Sequence, residues 1–103
     1  MSEILLTDFE KKVLQELEKV PLGRVTTYQN LAIKIGKPKA ARAVGNALNK
    51  NPWAPRVPCH RVVKSDGQIG GYAFGVEKKN ALLKKEGIEI RNNKIIDFES
   101  KVF

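Results

Sequence analysis

The chain has 103 residues, 42% of them apolar, with 19 lysines and arginines against 11 acids and a formal charge of +8. That length bounds it to one domain with a modest core, and no apolar run approaches the ~20 residues of a membrane span. One cysteine excludes an internal disulfide, and with a single histidine there is no zinc-finger spacing, so neither a structural metal nor a cofactor is expected.

The charge favours a polyanionic partner, nucleic acid first, because each neutralised phosphate releases condensed counterions. Met1 to Leu6 lacks a basic segment followed by a long apolar run, so no secretory signal is expected and the predicted location is the cytoplasm, or the nucleus in a eukaryote.

Thr7-Asp8-Phe9-Glu10 has the form of a capping box and starts a helix. Phe9, Val13, Leu17 and Val20 make one apolar stripe, which Pro21-Leu22-Gly23 ends. Arg24-Val25-Thr26 reads as a brief extended segment. Thr26 or Thr27 then caps a second helix over Tyr28–Ile35, ended by Gly36. Pro38 suits a first helical turn, and Lys39–Lys50 continues as a third helix, so the pair forms a helix-turn-helix. The third helix is thin, mostly Ala and Gly. It could enter a DNA groove with Arg42, Asn46 and Lys39 or Lys50 reaching out.

Asn51 to Pro58 carries three prolines, which predicts a stiff, extended loop presenting Cys59. Arg61–Lys64 reads as a short strand and Ser65-Asp66-Gly67 as a turn. Gln68–Gly75 holds three glycines without the lysine of a P-loop and reads as a wall beside the thiol. Val76–Glu86 is a fourth helix capped by Gly87, with Lys84 and Lys85 forming a solvated face or a secondary phosphate contact. Ile88–Arg91 and Lys94–Phe98 pair as a hairpin across Asn92-Asn93, and the last five residues read as a tail. The expected fold class is mainly α with small β: a winged helix-turn-helix, one domain over residues 1–103 with its core at 8–98.

The chemistry centres on Pro58-Cys59-His60-Arg61-Val62, where the only cysteine and the only histidine are adjacent. A free thiol has a pKa of about 8.5, so its thiolate needs a base, and His60 is the obvious one. Successive strand residues point to opposite faces, so the two cooperate only across a turn or through a bridging water. A carboxylate would normally orient the imidazole. Spacing does not choose it among the eleven acids.

The Pro58–Val62 motif resembles the active-site signature of the O6-alkylguanine-DNA alkyltransferases (methylated-DNA--protein-cysteine methyltransferases). It is joined in order by Tyr28-Gln29-Asn30-Leu31-Ala32, Lys39 to Gly45, Asn51-Pro52, Gly71-Tyr72-Ala73-Phe74-Gly75 and Leu82 to Gly87, covering residues 8 to 90. The resemblance implies direct-reversal DNA repair: an alkylated guanine is flipped out of double-stranded DNA held by the minor groove, and Cys59 takes the alkyl group irreversibly. It implies that His60 is the base acting through water, Glu86 orients His60, and Tyr28 hydrogen-bonds the purine as guanine leaves. Arg42 would fill the space of the flipped base and Asn51 would brace the cysteine loop. Backbone groups at Val62 and Ala73 would read the purine edge, with Tyr72 as pocket wall.

The expected protein is a monomer with no membrane partner, and without the additional amino-terminal domain of many family members. Trp53 to Arg56 is bulkier than the family pattern, so Trp53 either packs or lines the alkyl pocket, and Ala73 stands where some members carry a hydroxyl. Two rival readings stand beside transfer. Alkyltransferase-like proteins bind the lesion without enzymatic transfer and hand it to nucleotide excision repair, typically with the cysteine replaced. A plain winged-helix DNA binder would leave Cys59, His60 and Glu86 unused.

Overall fold

A computed structural model describes residues 6–50, 57–72 and 74–103. The first helix, α1 (Asp8–Glu18), forms as its local chemistry dictates. The Thr7 hydroxyl accepts the Glu10 N–H at 3.1 Å, and Glu10 Oε1 accepts the Thr7 N–H at 2.9 Å, so two otherwise orphaned donors are satisfied. Val13, Leu14 and Leu17 are buried along its inner face. Thr27 rather than Thr26 caps α2 (Tyr28–Lys34), accepting the Asn30 N–H at 2.9 Å, and Gly36 takes φ +79° just beyond the helix end.

The third helix, α3, spans Ala41–Asn49 and so begins later than expected. Pro38 and Lys39 lie in a turn instead of a first helical turn: the Ala40 N–H bonds back to the Lys37 carbonyl at 2.9 Å, and the Pro38 carbonyl is taken by the Gln29 side-chain amide of α2 at 2.6 Å. That carbonyl therefore serves the α2–α3 connection, and helical geometry starts only past Ala40.

Two short strands, β1 (Thr26–Thr27) and β2 (Val62–Val63), pair in parallel with Thr26 opposite Val62 and Thr27 opposite Val63. Ser65 to Gly67 turns as expected, with the Lys64 N–H on the Gln68 carbonyl, and Gln68 then bridges to Lys94. Helix α4 (Val76–Lys85) leads to the wing, β3 (Ile90–Arg91) against β4 (Lys94–Ile95). Asn92 and Asn93 sit at φ 51° and 60°, the left-handed pair that a two-residue hairpin turn requires.

The carboxyl end departs from the expected tail, and the hairpin stops short of Phe98. Phe98–Lys101 forms α5, Val102 bridges to Val25, and Arg24 donates to the carbonyls of Lys101 at 3.1 Å and Val102 at 2.9 Å. Arg24 has five guanidinium hydrogens to satisfy, and the carbonyls at the end of α5 have no helical partner; that of Lys101 accepts the Val25 N–H at 2.9 Å as well as Arg24.

Two apolar clusters result. One packs α1, α2 and α3 around Leu17, Leu31 and Val44 and reaches Cys59 and Val62; the other gathers Val25, Val63, Ile69, Leu83, Ile88 and Ile95. Adjacent residues of β2 thus face different cores, as strand alternation requires. The fold is mainly helical with few strands, and among the described residues no helix is long and apolar enough to cross a membrane.

Candidate active site

Cys59 is not displayed on an extended loop. Residues Cys59–Arg61 make one 3-10 turn, with the Arg61 N–H on the Pro58 carbonyl at 2.9 Å, and Cys59 is only 6% exposed. Pro58 has φ −84° and ψ 68°, so the chain enters the turn rather than running straight through. The turn is what lets Cys59 and His60, neighbours in sequence, avoid the opposed directions of strand residues.

Behind the thiol lies a buried polar cluster. His60 Nε2 is 2.9 Å from Glu86 Oε2, and Arg61 grips the same carboxylate at both oxygens, Nε to Oε1 at 2.9 Å and Nη2 to Oε2 at 2.8 Å. Arg61 Nη1 also donates to the Val20 carbonyl past the end of α1 at 2.8 Å. Glu86 is the residue closing α4, and Gly87 at φ +89° turns the chain away immediately after it. Burial works against the Glu86 carboxylate, but hydrogen bonds from Arg61 and His60 outweigh it and hold its pKa below the ordinary range. An ionised carboxylate only accepts, so His60 Nε2 carries the hydrogen and Nδ1 is left with a lone pair. That Nδ1 is buried and has no partner among the described residues. Burial pushes the His60 pKa down despite Glu86, which keeps the imidazole neutral.

Lys79 belongs to the site although no sequence motif marks it. It is fully buried in α4, and its Nζ donates to the carbonyls of Val62 at 2.6 Å and Gly71 at 2.9 Å. Burial pulls its pKa down to about 8, and the nearby Cys59 charge works the other way. The sequence does carry a signal: Lys79, Leu83 and Glu86 fall at i, i+4 and i+7, one helical face. Arg61 stands out in the sequence only as part of the cysteine motif, and its contact with Glu86 is a feature of the fold. Lys84 and Lys85 are exposed, as expected.

A cavity of about 760 Å³ opens in front of Cys59. One wall is α3, through Arg42, Gly45, Asn46 and Asn49; the other brings Tyr28, Lys64, Gly71 and Tyr72 to the same space. Tyr28 packs between two glycines, of which Gly70 is required by its positive φ rather than by lack of space. A Cβ on Gly45 would lie 3.8 Å from its ring and one on Gly70, at φ +70°, 3.5 Å from its hydroxyl. Burial and the Cys59 charge raise the Tyr28 pKa. For Tyr72, burial, the Cys59 charge and a hydrogen bond with Cys59 push it to about 12, so both phenols stay protonated donors. The Tyr72 ring also meets His60 edge-on at 6.5 Å.

Of the residues expected to meet DNA, Arg42 and Asn46 line the cavity and are exposed, whereas Lys39 is exposed in the turn before α3 and is not part of the lining. Lys50 is tied to Glu10 of α1 at 2.7 Å. The Val62 carbonyl already accepts from Lys79, leaving one lone pair for anything else. Asn51 and Ala73, with Trp53 and Arg56, lie outside the described residues.

Comparison with known proteins gives a consistent result. The family profile described as "6-O-methylguanine DNA methyltransferase, DNA binding domain" matches residues 8–88. A methylated-DNA--protein-cysteine methyltransferase of Methanosarcina barkeri is 51% identical over 85 residues, 82% of this chain and 54% of the relative. The crystal structure of Mycobacterium tuberculosis OGT in complex with DNA superposes with a TM-score of 0.76 at 45% identity, over 82% of this chain and 52% of that one. S. pombe Atl1, in complex with damaged DNA containing O6-carboxymethylguanine, superposes with a TM-score of 0.83 at 29% identity, over 96% and 98% of the two chains. The chain spans about half the length of the methyltransferase relative and of OGT. By the match over residues 8–88, it belongs to the family of 6-O-methylguanine DNA methyltransferases, through their DNA-binding domain.

Proposed function

We propose that this chain acts as a single winged-helix domain that repairs O6-alkylguanine by direct reversal: the damaged base is turned out of duplex DNA into the cavity, and Cys59 removes its alkyl group once. The observation that carries this reading is the Cys59 sulfur at a cavity with no acid among its described lining residues, with the His60–Glu86 pair behind it. His60 Nδ1, unprotonated and without a partner, accepts the thiol proton through a bridging water, and Glu86 balances the imidazolium that forms. The sulfur attacks the alkyl carbon in line. The new S–C bond forms as the C–O6 bond breaks, and its electron pair leaves with the guanine.

Guanine is a poor anionic leaving group, so a donor at the ring lowers the barrier. Tyr28, held protonated, supplies that hydrogen bond, and the thiol proton returns to guanine by way of His60 and solvent. Extruding the base costs a few kcal/mol, offset by cavity contacts and by Arg42 entering the vacated stack from α3. A thin helix suits the minor groove, whose base pattern is degenerate, as an enzyme acting on damage in any sequence requires. Asn51 bracing the loop and Ala73 reading the purine belong to the same proposal, as does a monomeric protein working on DNA inside the cell.

Incubation with duplex DNA containing one O6-methylguanine, followed by intact-protein mass spectrometry, is expected to show one added methyl group on Cys59. The Cys59→Ala variant should keep lesion binding and lose transfer. The Atl1 likeness over nearly the whole of both chains favours a second reading, lesion binding without transfer. An unmodified protein bound tightly to the lesion would establish that reading instead.

A further inference from the structure

The α3 rim of the cavity carries Arg42, and the facing rim carries one cation, Lys64, directly after β2. Nothing in the proposed reaction uses it. Among the described residues, Arg42 and Lys64 are the only charged side chains lining the cavity. The Lys64 backbone is fixed on both sides: its N–H donates to the Gln68 carbonyl at 2.8 Å and its carbonyl accepts from Gly67 at 3.0 Å. Its stem is placed as well, since a Cβ on Gly70 would lie 3.5 Å from both Lys64 Cγ and the Tyr28 hydroxyl. The side chain therefore starts beside Tyr28 and ends exposed, in no ion pair among the described residues.

We infer that Lys64 is a phosphate-binding residue, taking a backbone phosphate of the nucleotide whose base has entered the cavity, across the mouth from Arg42. The inference rests on the base-flipping reading. A base turned inward brings its flanking phosphates to the mouth, where α3 reaches them from one side alone. An ammonium on a flexible stem is a point charge suited to a phosphate oxygen, whereas a flat base edge calls for a planar donor pair. Because the contact forms only after extrusion, Lys64 adds affinity for damaged duplex and little for intact duplex.

The test measures binding to duplexes with and without one O6-methylguanine across a salt series, in the Cys59→Ala background so that the lesion is not consumed. One phosphate contact contributes about 0.9 to the log–log salt slope, which is roughly eightfold in affinity at 0.1 M salt. Lys64→Gln should lose about that slope and that affinity on damaged duplex while staying within about twofold on undamaged duplex, and Lys64→Arg should restore both. An unchanged slope, or equal losses on the two duplexes, overturns the assignment. So does a slope that is unchanged while Cys59-intact Lys64→Gln transfers more slowly at saturating DNA, which would place Lys64 on the leaving base. If the Lys64-intact protein does not distinguish the two duplexes, base flipping fails first, and that outcome is read before any Lys64 variant.

Discussion

Glu86 accepts three hydrogen bonds from two residues, so replacing it with glutamine keeps its shape while removing its charge. The amide has one oxygen and one NH₂ group. In either orientation a donor faces a donor, against Arg61 Nε or against Arg61 Nη2, and the guanidinium loses its counterion. The Arg61 and Glu86 side chains are each 13% exposed, so the penalty lies below that of a fully buried charge. Losing one charge-assisted bond and leaving that cation partly unmatched costs about 3 kcal/mol. For a domain of this size that is roughly 10–15 °C in melting temperature.

The effect on transfer is separable from the effect on stability. With no carboxylate behind it, the imidazolium formed as Cys59 loses its proton is less stable, and Glu86→Gln should slow single-turnover methyl transfer about 100-fold at pH 7, equivalent to about 2.7 kcal/mol. Hydroxide competes with His60 for the thiol proton as its concentration rises, so the gap should narrow with increasing pH. The assay is a rapid-quench time course at saturating methylated duplex between pH 6 and 9, alongside thermal melts of both proteins. A variant within about threefold of the parent at pH 7, under 1 kcal/mol of barrier, would refute the reasoning, because the His60–Glu86 pair would then be idle. A 100-fold gap constant to pH 9 would refute the charge argument and leave a misplaced turn as the cause.

Lys79→Met leaves the Val62 and Gly71 carbonyls without their donor but also removes a buried charge; the opposed terms leave a destabilisation of about 1–3 kcal/mol by denaturant titration. It also takes a positive charge from beside the sulfur, so alkylation of Cys59 by iodoacetamide should slow at neutral pH. Lys79 in the folded protein titrates near pH 8, below its unfolded value, so between the two the unfolded chain holds the extra proton and stability rises with pH. The stability of wild type relative to Lys79→Met should therefore increase from pH 8 to pH 10; a constant difference would mean the ammonium is not penalised by burial. Arg24→Ala loses the bonds to the Lys101 and Val102 carbonyls and should cost about 1–2 kcal/mol, with faster amide exchange in α5 and unchanged transfer.

Features that close within a few residues are legible in the sequence alone. Thr7 with Glu10, Gly36 and Gly87 at helix ends, and Asn92-Asn93 in the wing turn each follow from chemistry that neighbours supply. Pro38 departs from its expected place for a reason that is also physical: its preference for a first helical turn loses to the Gln29 amide, which arrives from another helix. The carboxyl end reads as a tail because the partner that orders it, Arg24, lies at the other end of the chain. In the site, the adjacency of Cys59 and His60 is visible in the sequence and the 3-10 turn that reconciles them is not. Glu86 can be picked from eleven acids only by resemblance, since what singles it out is Arg61 and His60 folding back onto the end of α4.

The position of the thiol at the seam of two cores explains why so many charges are buried around it. Val62 packs with the α1–α3 cluster and Val63 with the α4–wing cluster, so the short strand beyond Cys59 belongs to both. Apolar packing alone would let the two clusters shift against each other by small amounts at little cost, because dispersion contacts are weak individually and not directional. Lys79 and Glu86 both project from α4 onto the 59–62 segment, and Arg61 extends the tie to the Val20 carbonyl beyond α1. These directional bonds fix the sulfur relative to both cores within the sub-ångström tolerance that an in-line displacement requires. A polar cluster that adds little over well-packed apolar residues of the same volume is retained on this account because it fixes position, and mutations that break one of its bonds should disturb transfer and folding together.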